Sequence, residues 1–157
     1  MPHLLAARGA IVGVASAAAL RAMSGIAGYD ATKAGLAMLM QSVAVDYRPL
    51  GLRANAVCSG WTRSEMADME MTEAGESTGV DREEAYRLAT TFVPSRRPAL
   101  AREVGEVIAW LLSAKASYVN AAVVPVDGGL VAVEPGAIAF DSRVAVGPDE
   151  PLSTPTS

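Results

Sequence analysis

The stretch VASAAALRAMSGIAGYDATK, residues 14–33, decides how this chain is read. It sets Ser16 at the end of an apolar run, then a loop of small residues, then Tyr29 and, four positions on, Lys33. The chain has only two lysines, Lys33 and Lys115. Residues four apart on a helix share a face, so the Tyr29 phenol and the Lys33 ammonium can meet near one substrate atom. Free tyrosine ionises at about pH 10, too high for ready proton exchange at neutral pH. A cation close by favours the phenolate, and so does the positive end of a helix. The pair therefore reads as a general acid–base, with the Ser16 hydroxyl as a hydrogen-bond donor to a substrate oxygen. A YxxxK spacing is a weak signal by itself. It gains weight from the position of Ser16, because open parallel sheets bind ligands outside the carboxyl ends of their strands.

Working outward, AIVGVA (10–15) is a short β-branched run preceded by Gly9, the pattern of a strand buried on both faces. From about residue 27 a helix is expected, with Leu36, Leu39, Met40, Val43 and Tyr47 at helical spacing and Pro49 with Gly51 at its end. LRANAVC (52–58) is a second strand, closed by Ser59 and Gly60. Strand, long helix and strand make a βαβ crossover, hence a parallel sheet.

The segment 61–96 has a different character. Eight of the acidic residues fall between Glu65 and Glu84, and Gly75 and Gly79 break its middle. Asp81 followed by Glu84 resembles a capping box that starts the helix DREEAYRLATTF. The segment reads either as a solvated helical hairpin or as a mobile lid over a pocket. REVGEVIAWLLSA (102–114) is a further amphipathic helix, with Val104, Val107, Ile108, Leu111 and Leu112 on its apolar stripe. AAVVPV (121–126) is a third strand, ending in Asp127-Gly128-Gly129. From residue 132 to 157 the prolines and polar residues predict a loose tail.

The bulk properties narrow the function classes. A chain of 157 residues with 51% apolar residues has the material for one substantial core. A net charge of −4 gives no electrostatic preference for nucleic acid or an anionic membrane. Cys58 is the only cysteine and His3 the only histidine, so a disulfide framework, an ordinary zinc site and a Ser-His-Asp triad all lack their residues. A reducing, cytoplasmic setting is expected. No apolar run reaches the roughly 18 to 20 residues of a membrane span. Arg8 followed by GAIVGVASAAAL imitates a secretory signal. The strand reading is preferred because it also accounts for the helix and second strand that come after residue 27.

Taken together, residues 9–66 closely resemble the catalytic half of the short-chain dehydrogenases/reductases. In that family a strand ends in the catalytic serine thirteen residues before the tyrosine of YxxxK, as Ser16 stands to Tyr29 here. RANAVCSGW is similar to the next strand and its Pro-Gly turn, and REVGEVIAWLLSAKASYVNAAVVPVDGG to the last helix and strand. The resemblance covers about residues 1–131. It implies an α/β fold, the C-terminal half of a Rossmann-type doubly wound parallel sheet with about three strands, and residues 61–96 as its lid.

The activity implied is NAD(P)-dependent interconversion of a carbonyl and an alcohol. Ser16 would orient the substrate carbonyl, Tyr29 would exchange the proton, and Lys33 would lower the Tyr29 pKa and hold the nicotinamide ribose. Gly60, Thr62 and Ser64 would line the nicotinamide and phosphate end of the cofactor, and no metal is implied. NAD and NADP are not distinguishable from these residues. The family also implies a homo-oligomer that uses the Tyr29 helix and the last strand.

Several positions depart from the family pattern. Ser59 stands where a proline is usual, Ser64 for threonine, Ala15 for a second serine and Ala121 for the glycine before the final strand. No G-x-G-x-x-G or G-x-x-x-G-x-G occurs in the chain. The resemblance implies that the first four strands, the glycine-rich phosphate loop and a catalytic asparagine belong upstream, in a missing N-terminal half. The isolated chain is then expected to bind dinucleotide weakly and to associate through an open edge of the strand at 10–15. A truncated non-catalytic remnant, or one half of a split enzyme, is the alternative.

Other residues carry weaker signals. Trp61 reads equally as a substrate-pocket wall or a lid anchor, and Trp110 as core. Arg96 and Arg97 read as surface arginines, Cys58 as an inert core thiol and Asn55 as a structural hydrogen-bonder. Met38, Met40, Met66, Met69 and Met71 read by default as core filling.

Overall fold

A computed structural model of the protein describes residues 1–138. The chain opens with a short helix α1 (Pro2–Ala6) and strand β1 (Ala10–Ser16), and a single 3₁₀ turn at Ala17–Ala19 follows. Next come the long helix α2 (Ala27–Tyr47) and strand β2 (Arg53–Ser59). After a two-residue strand β3 (Thr62–Arg63) come two helices, α3 (Glu65–Thr78) and α4 (Arg82–Ala89). The chain returns through β4 (Ala99–Leu100), helix α5 (Ala101–Leu112), strand β5 (Val123–Val126) and a four-residue helix α6 (Pro135–Ile138).

The main sheet has three parallel strands in the order β1-β2-β5, as the βαβ pattern predicts. Strand β2 is central, and Leu52 through Cys58 are all buried. Successive β2 residues point to opposite faces. Ala56 joins Ala37 and Met40 in a cluster under α2, while Val57 joins Val104 and Leu111 under α5. The sheet is therefore covered by one helix layer on each side, the architecture of a doubly wound fold. Gly13 sets how closely α2 sits on β1: a Cβ there would lie 2.7 Å from Met40 Cγ.

Arg53 N donates to Gly9 O, which fixes the ladder's phase. In a parallel pair alternate residues bond to the same neighbour, so Ala10, Val12 and Val14 turn their backbone groups to the outer edge of β1. That edge has no partner strand among the described residues, and Val14 is 47% exposed.

Polar side chains buried behind β2 close the other end of the layer. Asn55 Nδ2 donates to Val119 O, and its Oδ1 accepts from Ala122 N. Asn120 accepts from Ala54 N and donates to Ala44 O, tying α2 to the strands. Arg53 donates to the carbonyls of Leu111 and Leu112, which the end of α5 leaves open, and also to those of Ser113 and Val119. The structural reading of Asn55 holds. The role of Arg53 has no signature in local sequence, because its partners lie about sixty residues away.

Helices α3 and α4 form a hairpin with a core of its own, Ala67, Met71, Ala85 and Tyr86, against which Trp61 and Val80 pack. Ser64 caps α3 by accepting from Ala67 N, and Asp81 caps α4 by accepting from Glu84 N. Gly79 ends α3 at φ +76. Gly75 is not a breaker: it lies inside α3 and is buried because Val80 O packs where a side chain would begin.

Three other expectations change. Trp110 is 45% exposed and Leu112 46%, so the buried stripe of α5 is Val104 and Leu111 with Val107 and Ile108 beside them. Of the five methionines only Met40 and Met71 are buried; Met38, Met66 and Met69 face outward. Ala121 adopts φ +58, the left-handed conformation that explains why glycine suits that position and that costs an alanine about 1 kcal/mol. The tail expected over 132–157 falls, from residue 139 on, outside the described residues.

Candidate active site

Ser16 is the last residue of β1 and opens the 3₁₀ turn, its Oγ accepting from Ala18 N at 3.2 Å. That leaves the hydroxyl proton free to donate outward. Tyr29 stands in the first turn of α2 and is 44% exposed. Lys33, one turn further, places Nζ 5.4 Å from the centroid of the Tyr29 ring and donates to Val14 O at 3.3 Å. One ammonium thus touches both the tyrosine and the strand that ends, two residues later, in Ser16. The contact is possible because Val14 lies on the unpaired edge, where its carbonyl is not taken by β2.

The β2 exit supplies the second group of predicted residues. Gly60 N donates to Val126 O at 3.0 Å, and a Cβ at Gly60 would lie 2.8 Å from Asp127 Cα, so only glycine fits this turn. Its amide is committed to β5 and is not an open donor. Thr62 Oγ1 donates to Gly60 O, and Thr62 pairs with Ala99 in the small β3–β4 ladder. Ser64 uses its oxygen as the α3 cap. Trp61 packs on the hairpin core and lines a cleft of ≈ 130 Å³ with Val93, Ser95 and Val126, a cleft whose lining does not include Ser16, Tyr29 or Lys33. Asp127 stitches the floor of that cleft, Oδ1 accepting from Gly129 N and Oδ2 from Val131 N.

Electrostatics at the site's border are dominated by ion pairs. Arg97 binds Glu103 through two contacts of 2.7 Å, and Glu103 also accepts from Leu100 N. The Arg97 contact first, and the Leu100 amide second, hold the Glu103 carboxyl down at about 2. Arg97 is thus structural. Arg63 chelates Glu83 and lies 4.4 Å over the Tyr86 ring, and Tyr86 Oη donates to Asp68 at 2.8 Å. Burial, then the Asp68 bond, pushes the Tyr86 phenol up to about 12. Arg63 also holds Glu83 below the usual carboxylate range. Burial raises the Cys58 thiol, as expected of an inert core cysteine. Among the described residues no group of three or more His, Cys, Asp or Glu side chains is arranged to hold a metal. No helix among them is long and apolar enough to cross a membrane.

Sequence reading missed the Arg63–Glu83–Tyr86–Asp68 cluster. Its only sequence signal was the density of charge over 63–84, which reads equally as a solvated surface.

Comparison with known proteins agrees with this architecture. Residues 1–131 match the family described as Enoyl-(Acyl carrier protein) reductase. The chain is 41% identical over 140 residues to Protein MoaE of Klebsiella aerogenes, covering 89% of this chain and 54% of that protein. It is 38% identical to levodione reductase of Leifsonia aquatica, covering 77% and 44%. The crystal structure of levodione reductase superposes with a TM-score of 0.73 at 36% identity, covering 78% and 46% of the two chains. An actinorhodin polyketide ketoreductase solved with NADPH gives a TM-score of 0.75 at 30% identity, covering 83% and 50%. The chain spans about half the length of the curated relatives it matches. Sequence and fold together place it in the short-chain dehydrogenase/reductase family of oxidoreductases.

Proposed function

We propose that the chain carries the acid–base end of an NAD(P)-dependent oxidoreductase that interconverts a carbonyl and an alcohol. The observation that carries this reading is the Lys33 ammonium, held at once against the Tyr29 ring and the Val14 carbonyl near the end of β1. In reduction, the Ser16 hydroxyl donates a hydrogen bond to the carbonyl oxygen and fixes its position. Tyr29 gives its phenolic proton to that oxygen as the alcohol forms, and Lys33 stabilises the phenolate left behind. A nicotinamide dinucleotide, when bound, supplies the hydride that completes the two-electron change. The residues present suit its nicotinamide end: Thr62 and Ser64 bear hydroxyls beside a turn at Gly60 that is too tight for any side chain. NAD and NADP remain equal candidates. The outward Met38, Leu39 and Val45 on α2 support a homo-oligomer.

The test is turnover of NADH and NADPH with a panel of carbonyl compounds that includes levodione, comparing the protein with Tyr29→Phe. The phenylalanine variant should lose at least about a thousandfold in turnover while dinucleotide binding stays within twofold. Equal turnover in the two proteins overturns the role given to Tyr29.

One observation favours a second reading, a non-catalytic remnant or one half of a split enzyme. One relative that shares 36% identity over 126 residues is named an inactive 2-(S)-hydroxypropyl-CoM dehydrogenase. Calorimetry with NADH and NADPH, run beside sedimentation of the 157-residue chain, separates the two. Tight binding by a monodisperse chain supports the enzyme; self-association without binding supports the remnant or half.

A further inference from the structure

The segment between Ser16 and α2 joins the two hydroxyl-bearing residues. Residues 21–26 are exposed, belong to no helix or strand, and include Gly25 at φ +83 with open space around it. Asp30 ties this segment down. It lies in the first turn of α2, next to Tyr29, and its Oδ2 accepts from Met23 N at 2.9 Å, across seven residues. Its other oxygen, Oδ1, is buried and has no hydrogen-bond partner among the described residues. A carboxylate oxygen removed from water and left without a donor is unfavourable, and such groups in folded proteins call for an explanation. Nothing in the acid–base chemistry of Tyr29 and Lys33 uses it.

We propose that Asp30 is a positioning residue that clamps residues 21–26 over the gap between Ser16 and Tyr29. Oδ2 holds the Met23 N–H in the free protein. Oδ1 is the acceptor for a second backbone N–H of the same segment, brought in when the segment closes over bound substrate. The exposed side chains of Met23 and Ile26 then face an apolar part of that substrate. This rests on the reading that Ser16 and Tyr29 receive the reacting carbonyl.

Asp30→Asn and Asp30→Ala separate the two oxygens. Asparagine keeps one carbonyl acceptor for Met23 and puts an NH₂ donor at the second position; alanine removes both acceptors. Amide hydrogen exchange of the 157-residue protein should show Met23 exchanging about tenfold faster in the alanine variant and unchanged in the asparagine variant. With levodione as the carbonyl probe, KM should rise about tenfold in the alanine variant. It should rise about threefold in the asparagine variant, with kcat within twofold in both. Unaltered Met23 exchange in the alanine variant overturns the clamp. A wild-type KM in the asparagine variant overturns the role of Oδ1, and a fall in kcat at constant KM overturns positioning altogether. Absence of Tyr29-dependent turnover would sink the proposed catalytic reading alone, since the exchange measurement still decides whether Asp30 holds the segment.

Discussion

The α3–α4 hairpin and the three-stranded sheet sit side by side in one chain and are held together in different ways. In the sheet, strand β2 is buried from Arg53 to Cys58, and the side chains of Arg53 and Asn55 bond to backbone carbonyls and amides. In the hairpin, a small core of Ala67, Met71, Ala85 and Tyr86 is supported by charged pairs on its surface: Arg63 with Glu83, Arg87 with Glu84, and Arg82 with Asp68. Surface pairs contribute little each and are screened by salt. Buried hydrogen bonds contribute more, because breaking one leaves its partner out of reach of water. The sheet therefore holds Ser16 and the Lys33 contact on a body built from buried bonds, whereas the hairpin depends on pairs that salt and acid can weaken.

The largest expected effect comes from the buried cation. Replacing Arg53 by Met keeps the apolar stem but leaves the carbonyls of Leu111 and Leu112 without their donor, while Val119 O keeps Asn55 and Ser113 O keeps the Ala116 amide. Unfolding in urea should show a loss of about 3 kcal/mol, felt by the sheet and α5 together. A loss below about 0.5 kcal/mol would mean that the two regions are not held so differently after all. Tyr86→Phe removes the bond to Asp68 and keeps the packing. Because Asp68 is partly exposed and can rehydrate, the loss should be about 1 kcal/mol and confined to the hairpin. Trp61, packed on the hairpin core, reports it in a Trp110→Phe background by fluorescence.

Acid gives the smallest and most selective effect. Glu83 and Glu84 are held below their ordinary values by Arg63 and Arg87, and Glu103 is held at about 2 by Arg97 and the Leu100 amide. A carboxylate whose pKa is depressed by folding stabilises fully above its unfolded value and loses that contribution as pH falls through the folded one. Between about pH 4.3 and pH 2 the hairpin and its return segment should therefore loosen. The contacts of Arg53 and Asn55 do not titrate in that range. Trp61 emission should shift before β2 amides lose protection from exchange, and simultaneous loss of both signals would erase the contrast. At the alkaline end the sign reverses for Tyr86: its phenol, raised to about 12, favours the folded state up to about pH 10 and ceases to as pH climbs to 12.

Legibility followed the range of the interactions. Strands at 10–15 and 52–58, the long helix ending at Pro49-Gly51, and the cap at Asp81 were readable because each depends on neighbours within a few residues. Gly75 misled because glycine weakens a helix by propensity, whereas here the close approach of Val80 O requires its small size. Trp110 misled because helical periodicity tells which residues share a face but not how far the covering layer extends. In the site, the spacing of Tyr29 and Lys33 was local. The bond from Lys33 to Val14 was not, since it depends on which edge of β1 has a partner.

The sequence by itself determined the order of strands and helices, the parallel crossover and the one-turn spacing of Tyr29 and Lys33, all properties of nearby residues obeying backbone periodicity. Only the tertiary structure decided that Arg53 closes the end of α5 and that Arg63 binds the hairpin to β3. It also decided that Asp30 reaches back to Met23 with one oxygen still unmatched. These contacts join groups brought together by packing, and the strength of each depends on how much water that packing excludes.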